Sequence, residues 1–157
     1  MIAVSACLIG ENCKYNGGNN KNETVLKYLK GKEYITICPE CSGGLETPRE
    51  AAEIIDGEGI DVIKNRSKVI SRIGKDVTNE YLKGAKISLE EVKKYNVKEA
   101  ILKEGSPSCG VNKIHNGEFK GIKKSGKGVT ASLFEINGIE IISEKDLENQ
   151  SIKNKIY

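Results

Sequence analysis

The chain has 157 residues, the length of about one domain, and 25 Lys and Arg against 22 Asp and Glu leave a net charge of +3 with His115 neutral. That excess is too thin to argue for a nucleic-acid or membrane-surface partner. A 38% hydrophobic share with 30% charged residues excludes whole-chain disorder, collagen and coiled coil, and two Phe, six Tyr and no Trp make the core aliphatic.

Residues 2–8 are β-rich and apolar and read as a buried first strand. After a polar loop over 10–20, residues 23–30 carry Val25, Leu26 and Leu29 at helical spacing, and 34–38 read as a short strand. Pro48 followed by Arg49, Glu50, Ala51, Ala52 and Glu53 looks like a helix start. Residues 56–72 alternate around Asn65 and suggest an antiparallel hairpin. Residues 76–95 predict a long helix, broken near Gly84, with a capping box at Ser88. A buried strand over 99–103 runs into Gly105-Ser-Pro-Ser-Cys-Gly110, and a glycine-dotted polar region covers 111–128. A helix over 129–136, a strand over 139–142 and a short helix from Ser143 or Glu144 complete the chain. Alternation of strands and helices predicts a single compact α/β domain over 1–157, with a largely parallel sheet flanked by helices and a β-hairpin excursion.

No run approaches the ~18 apolar residues of a membrane span. Val4-Ser5-Ala6-Cys7 resembles a lipoprotein cleavage box, but only six residues precede the cysteine and none is basic. The expectation is a cytoplasmic protein whose five cysteines are thiols, metal ligands or catalytic groups before they are disulfides.

Cys7, Cys38 and Cys109 each close or follow a predicted strand and enter a turn rich in Gly or Pro. If those strands are parallel neighbours, the three thiols converge at one edge of the sheet, where ligand sites of such folds lie. Three thiolates without a fourth protein ligand suit a [4Fe–4S] cluster with one open iron; zinc with an open position and ordinary buried thiols are the other readings. Cys38 and Cys41 form Cys-Pro-Glu-Cys, but Ser42-Gly-Gly-Leu45 is a poor continuation for a redox-type helix. Cys13 and Cys41 read as ordinary thiols. Glu40 sits two residues past Cys38 and is a candidate acid or base. Ser106 and Ser108 either donate hydrogen bonds at the site or fix the turn before Cys109, and Arg49 either holds an anion or pairs with Glu53. The basic segment 120–130 lacks phosphate-loop spacing and reads as a solvated loop. With one histidine in the chain, histidine-dependent hydrolase schemes are hard to build.

Ser5-Ala-Cys-Leu-Ile-Gly10, Lys14-Tyr-Asn-Gly17, Cys38-Pro-Glu40, Gly43-Gly-Leu-Glu-Thr-Pro-Arg49, Gly74-Lys-Asp-Val-Thr78, Leu102-Lys-Glu-Gly-Ser-Pro-Ser-Cys-Gly110 and Gly128-Val-Thr-Ala131 occur in order over nearly the whole chain. In these motifs the sequence resembles the thiouracil desulfidase family, formerly catalogued as a domain of unknown function. The resemblance implies a [4Fe–4S] cluster held by Cys7, Cys38 and Cys109, with Glu40 and Ser108 as the polar pair serving the substrate; Ser106 and Arg49, from the reading of the residues above, are the expected substrate-binding pair beside them. It further implies non-redox removal of sulfur from a thiolated pyrimidine to give uracil and sulfide, the substrate sulfur meeting the open iron. The expected partner is a small thiolated nucleobase rather than a nucleic acid or a membrane. The alternative is a zinc or iron–sulfur module, a sensor or sulfur carrier without turnover.

Overall fold

A computed structural model describes residues 1–156; Tyr157, included in the expected domain, lies outside the described residues. Four parallel strands form the central sheet: β1 (Ile2–Ser5), β2 (Tyr34–Ile37), β5 (Glu99–Leu102) and β8 (Glu140–Ser143), in the order β2-β1-β5-β8. Register pairs Ala3 with Ile35 and Ala100, and Ile101 with Ile142. β1 is buried along its whole length, as befits a central parallel strand covered on both faces.

Side chains alternate between two cores. Ala3, Ile37, Ala100 and Leu102 pack with Val92 of α4 (Thr78–Lys94) and with Ala131 and Phe134 of α5 (Val129–Ile136). Ile2, Val4 and Ile101 turn the other way, onto Val25 and Leu29 of α1 (Glu23–Leu29) and Leu147 of α6 (Glu144–Ile156). The result is the expected α/β domain, with helices on both faces of a parallel sheet.

A smaller core lies under the excursion that follows β2. Here β3 (Ala52–Ile55) pairs antiparallel with β4 (Lys68–Ser71), and Ile54 and Val69 pack with Val62 of α3 (Gly59–Ile63) and with Tyr81 and Ala85 of α4. The antiparallel pair is present, but its composition differs from the hairpin read over 56–72. The residues read as its first arm form α3, opened by the Glu58 N–H donating to Asp61 Oδ2 at 2.9 Å and closed by Asn65 at φ +60°. The helix expected after Pro48 does not form. Arg49 N–H donates instead to Tyr15 O at 2.7 Å, and Ala51 O accepts from Arg72 N–H at 2.8 Å, so long-range partners draw 49–55 into extended chain.

Further expectations are corrected. Residues 6–9 leave the strand as a 3-10 turn, ended by Gly10 at φ +102°. Cys38 caps a one-turn helix, α2 (Pro39–Ser42), with proline in its first turn. The helix α4 is continuous through Gly84, with Ser88 buried in its interior rather than at a cap. Gly84 and Gly43 are where α4 and α2 meet: a Cβ on either would fall within 2 Å of a backbone oxygen of the other helix. Glycine there serves close approach. Within the polar region 111–128, β6 (Lys113–His115) and β7 (Lys123–Ser125) form an antiparallel ribbon, so part of the supposed solvated loop is ordered strand.

Candidate functional site

The sheet order places β1 between β2 and β5, so the chain adds β2 on one side of β1 and later returns to add β5 on the other. A crevice opens beyond the carboxyl ends of strands at such a reversal. Here it is a cavity of about 360 Å³. Cys7 enters it from the 3-10 turn after β1, Cys38 from the cap of α2 after β2, and Cys109 from the loop after β5. Glu40, Arg49, Ser106 and Ser108 line the same cavity, and so does Cys13. The convergence expected from three strand ends is therefore present. Cys41 is not among the lining residues; its thiol lies 3.5 Å from Thr47 Oγ1.

All five cysteines are free. Burial raises the pKa of Cys7, against a hydrogen bond from Asn20 and the Lys103 charge, which lower it. A hydrogen bond to Cys13 and burial raise that of Cys38 strongly, and burial, helped by the neighbouring Cys7, Glu40 and Cys38 and opposed by a hydrogen bond with Ser5, does the same for Cys109, which is 6% exposed. Without a metal these thiols are protonated at neutral pH, so metal loading would release protons.

Glu40 is held from two sides. Arg49 donates to Oε2 from Nε at 3.1 Å and from Nη2 at 2.5 Å, and the Tyr81 phenol donates to Oε1 at 2.8 Å. Arg49 is itself anchored by the carbonyls of Cys13 at 2.8 Å and Glu46 at 3.2 Å and by Thr47 Oγ1 at 3.0 Å. Of the two readings of Arg49, the pair with Glu53 is absent: Glu53 Oε1 accepts from the Gly117 and Phe119 N–H groups instead. With side chains only 8% and 16% exposed, the Arg49–Glu40 pair is shielded and two-pronged, unlike a weak surface bridge.

The Cys109 loop is braced by its serines. Ser106 Oγ accepts from the N–H groups of Ser108 and Cys109, both at 3.0 Å. Ser108 is 1% exposed and shares a hydrogen bond with Thr130 Oγ1 at 3.0 Å. Loop carbonyls also satisfy the first N–H groups of α5: Val129 donates to Pro107 O at 2.8 Å, and Thr130 to Ser108 O at 2.9 Å. Gly128 permits this docking, since its Cβ would lie 2.4 Å from Ser108 carbonyl carbon.

Sequence reasoning missed Tyr81, Lys103 and Glu104, all of which line the cavity. Tyr81 reaches Glu40 across 41 positions, a separation that leaves no local pattern. Lys103 and Glu104 did carry a signal: they are charged residues at the carboxyl end of an apolar strand. Lys103 Nζ lies 3.3 Å from Oε2 of the buried Glu144, whose Oε1 accepts from Glu104 N–H at 2.6 Å, and Ser5 Oγ accepts from Lys103 N–H at 3.0 Å. The ends of β1, β5 and β8 are thus tied together beneath the thiols.

Among the described residues, no three His, Cys, Asp or Glu side chains gather tightly enough to hold one metal ion. Cys7, Cys38 and Cys109 line the wall of a larger cavity instead. A soft donor set around that much space fits a group of several atoms such as an iron–sulfur cluster better than a single ion. Among the described residues, no helix is long and apolar enough to cross a membrane.

The family model described as 2-thiouracil desulfurase matches residues 2–146. The chain is 46% identical over 149 residues to the uncharacterized protein YbbK of Bacillus subtilis (strain 168), covering 95% of this chain and 99% of that one. Its structure is similar to that of a [4Fe–4S]-dependent thiouracil desulfidase, TudS, with a TM-score of 0.81 and 36% identity over 99% of this chain and 98% of the other. Site geometry and comparisons converge: the chain belongs to the 2-thiouracil desulfurase family and is an enzyme of the thiouracil desulfidase type.

Proposed function

We propose that this enzyme removes the sulfur of a small thiolated pyrimidine as sulfide, leaving uracil, by a non-redox hydrolysis at a [4Fe–4S] cluster held by Cys7, Cys38 and Cys109. The observation that carries this reading is the convergence of three thiols and a clamped carboxylate, Glu40, on one cavity. The family and the cluster dependence named for TudS support it. A bound cluster with an open iron supplies a soft Lewis acid for a thiocarbonyl sulfur.

The chain's own residues handle position and protons. Arg49 occupies Glu40 Oε2 with two donors, whereas among the described residues Oε1 receives only the Tyr81 hydroxyl. A carboxylate oxygen has room for a further donor, so Oε1 is the atom that takes the proton of an attacking water. Exchange of C=S for C=O by water yields hydrogen sulfide with no net change in oxidation state, so no external oxidant or reductant is needed. Ser106 and Ser108 act through the Cys109 loop that they brace, and five free thiols suit a reducing cytoplasm.

The test is analysis of iron, labile sulfide and zinc in protein purified without oxygen, followed by a sulfide-release assay on 2-thiouracil. About four irons and four sulfides per chain are expected. Cys7→Ala, Cys38→Ala and Cys109→Ala should each lose cluster and turnover together. Stoichiometric zinc without sulfide, or full iron content in all three variants, would refute the assignment.

A further inference from the structure

A buried acid unused by this chemistry sits at the end of β5. Glu104 is 7% exposed, and its Oε1 accepts from three successive backbone N–H groups: Val111 at 2.8 Å, Asn112 at 2.9 Å and Lys113 at 3.0 Å. Its Oε2 accepts from Asn112 Nδ2 at 2.9 Å. Consecutive N–H groups converging on one point make an anion-binding nest, filled here by the chain's own carboxylate.

The nest begins two residues after Cys109. Beside it, Gly105 N–H donates to Lys113 O at 3.1 Å. Carboxylate and backbone bond together close the neck of a loop spanning 105–113, with Cys109 inside it. Ser106 and the first turn of α5 hold the leading half of this loop. On the trailing half, Glu104 supplies the acceptor for the N–H groups of 111–113, and Gly128 N–H donates to Gly110 O at 2.9 Å.

We propose that Glu104 is a positioning residue for the metal site: by gripping the nest at 111–113 it presents the Cys109 thiol to the cavity shared with Cys7 and Cys38. The proposal rests on the reading of Cys109 as a cluster ligand. Glu104 touches neither substrate nor cluster in this scheme and acts through the loop.

Glu104→Gln preserves the shape of the side chain and removes its charge, leaving an amide that cannot accept on both sides. Two rates are measured on the full-length variant: loss of iron to an added chelator, and alkylation of individual cysteines by iodoacetamide after iron removal, read by peptide mass spectrometry. Iron loss is expected to accelerate about ten- to a hundredfold, the scale set by several charge-assisted bonds. Cys109 alkylation should accelerate by a comparable factor while Cys7 keeps its rate. A general loss of stability would expose both thiols alike, so this selectivity separates positioning from mere destabilisation. Should Glu104→Gln not fold, Asn112→Ala, at an exposed residue, removes the Oε2 donor together with its 3.2 Å contacts to Asp146 while keeping the backbone nest, and should move both rates in the same direction by about threefold, again with Cys7 keeping its alkylation rate. Unchanged rates, or equal acceleration at Cys7 and Cys109, would overturn the assignment. The labelling arm needs neither iron nor turnover, so a failed thiouracil assay counts against the proposed function alone.

Discussion

Gly84 lies inside α4, where exchanging glycine for alanine normally stabilises a helix by about 1 kcal/mol. In this protein the sign should reverse. A Cβ at Gly84 would fall 1.8 Å from the Pro39 carbonyl oxygen and 2.7 Å from its carbon, well inside the 3.0 Å that real Cβ contacts respect. The obstruction is backbone, so no rotamer change relieves it, and α2 has to retreat from α4 by roughly an ångström. Gly43 closes the same contact from the other side, its own Cβ direction blocked 1.9 Å away by Glu80 O. Overpacking of this kind costs about 1–3 kcal/mol, which at least cancels the helical gain. We expect Gly84→Ala to lose up to about 2 kcal/mol net. Because Cys38 caps α2 and Glu40 lies in its first turn, the retreat also pulls Glu40 from Tyr81 on α4. Urea denaturation with an unchanged slope measures the first effect, and iron content measures the second. A variant more stable than the parent by anything near 1 kcal/mol would show that the α2–α4 contact is not packed as described.

Two further outcomes follow from the site. Tyr81→Phe removes the only donor that the described residues place on Glu40 Oε1. It should cost about 1–3 kcal/mol of stability and lower kcat for sulfide release with iron content intact; an unchanged kcat would remove Oε1 from the proton path. Glu104 should also contribute to the pH dependence of stability. Burial alone would raise its pKa, but the Lys113, Asn112 and Val111 N–H groups outweigh burial and hold it below the ordinary value. A depressed folded pKa means stability fully present above the unfolded value, about 4.3, and lost as pH falls through the folded one. The stability gap between the parent and Glu104→Gln should therefore be flat from pH 7 to about 5 and shrink below that. A gap that widens on acidification would contradict this.

The elements of the parallel sheet were legible because their signals are local. Residues 2–5, 34–37 and 99–102 are short β-rich runs, and 129–136 is apolar and preceded by glycine. The errors cluster between residues 48 and 72, where local propensity loses to distant partners. Arg49 and Glu50 are good helix formers, but Arg49 is claimed by Tyr15 O and Glu40, and Ala51 by Arg72. Gly84 looked like a helix break because glycine weakens helices, whereas its actual role depends on a carbonyl 45 positions earlier in the chain.

For the site, the sequence by itself singled out three of the four thiols that line the cavity, Cys13 being the fourth. Cysteine at the carboxyl end of a strand in an α/β pattern is placed by topology, and Cys7, Cys38 and Cys109 line one cavity as that argument requires. It also singled out Glu40, by proximity to Cys38. Only the tertiary structure decided how those groups are held. Arg49 pairs with Glu40 rather than Glu53, Tyr81 supplies the second clamp, the two serines brace a loop, and Glu104 closes its neck. The reason is physical. Strand and helix signals arise from periodicity over a few neighbours, whereas a buried carboxylate takes whichever donors the packed chain brings within about 3 Å.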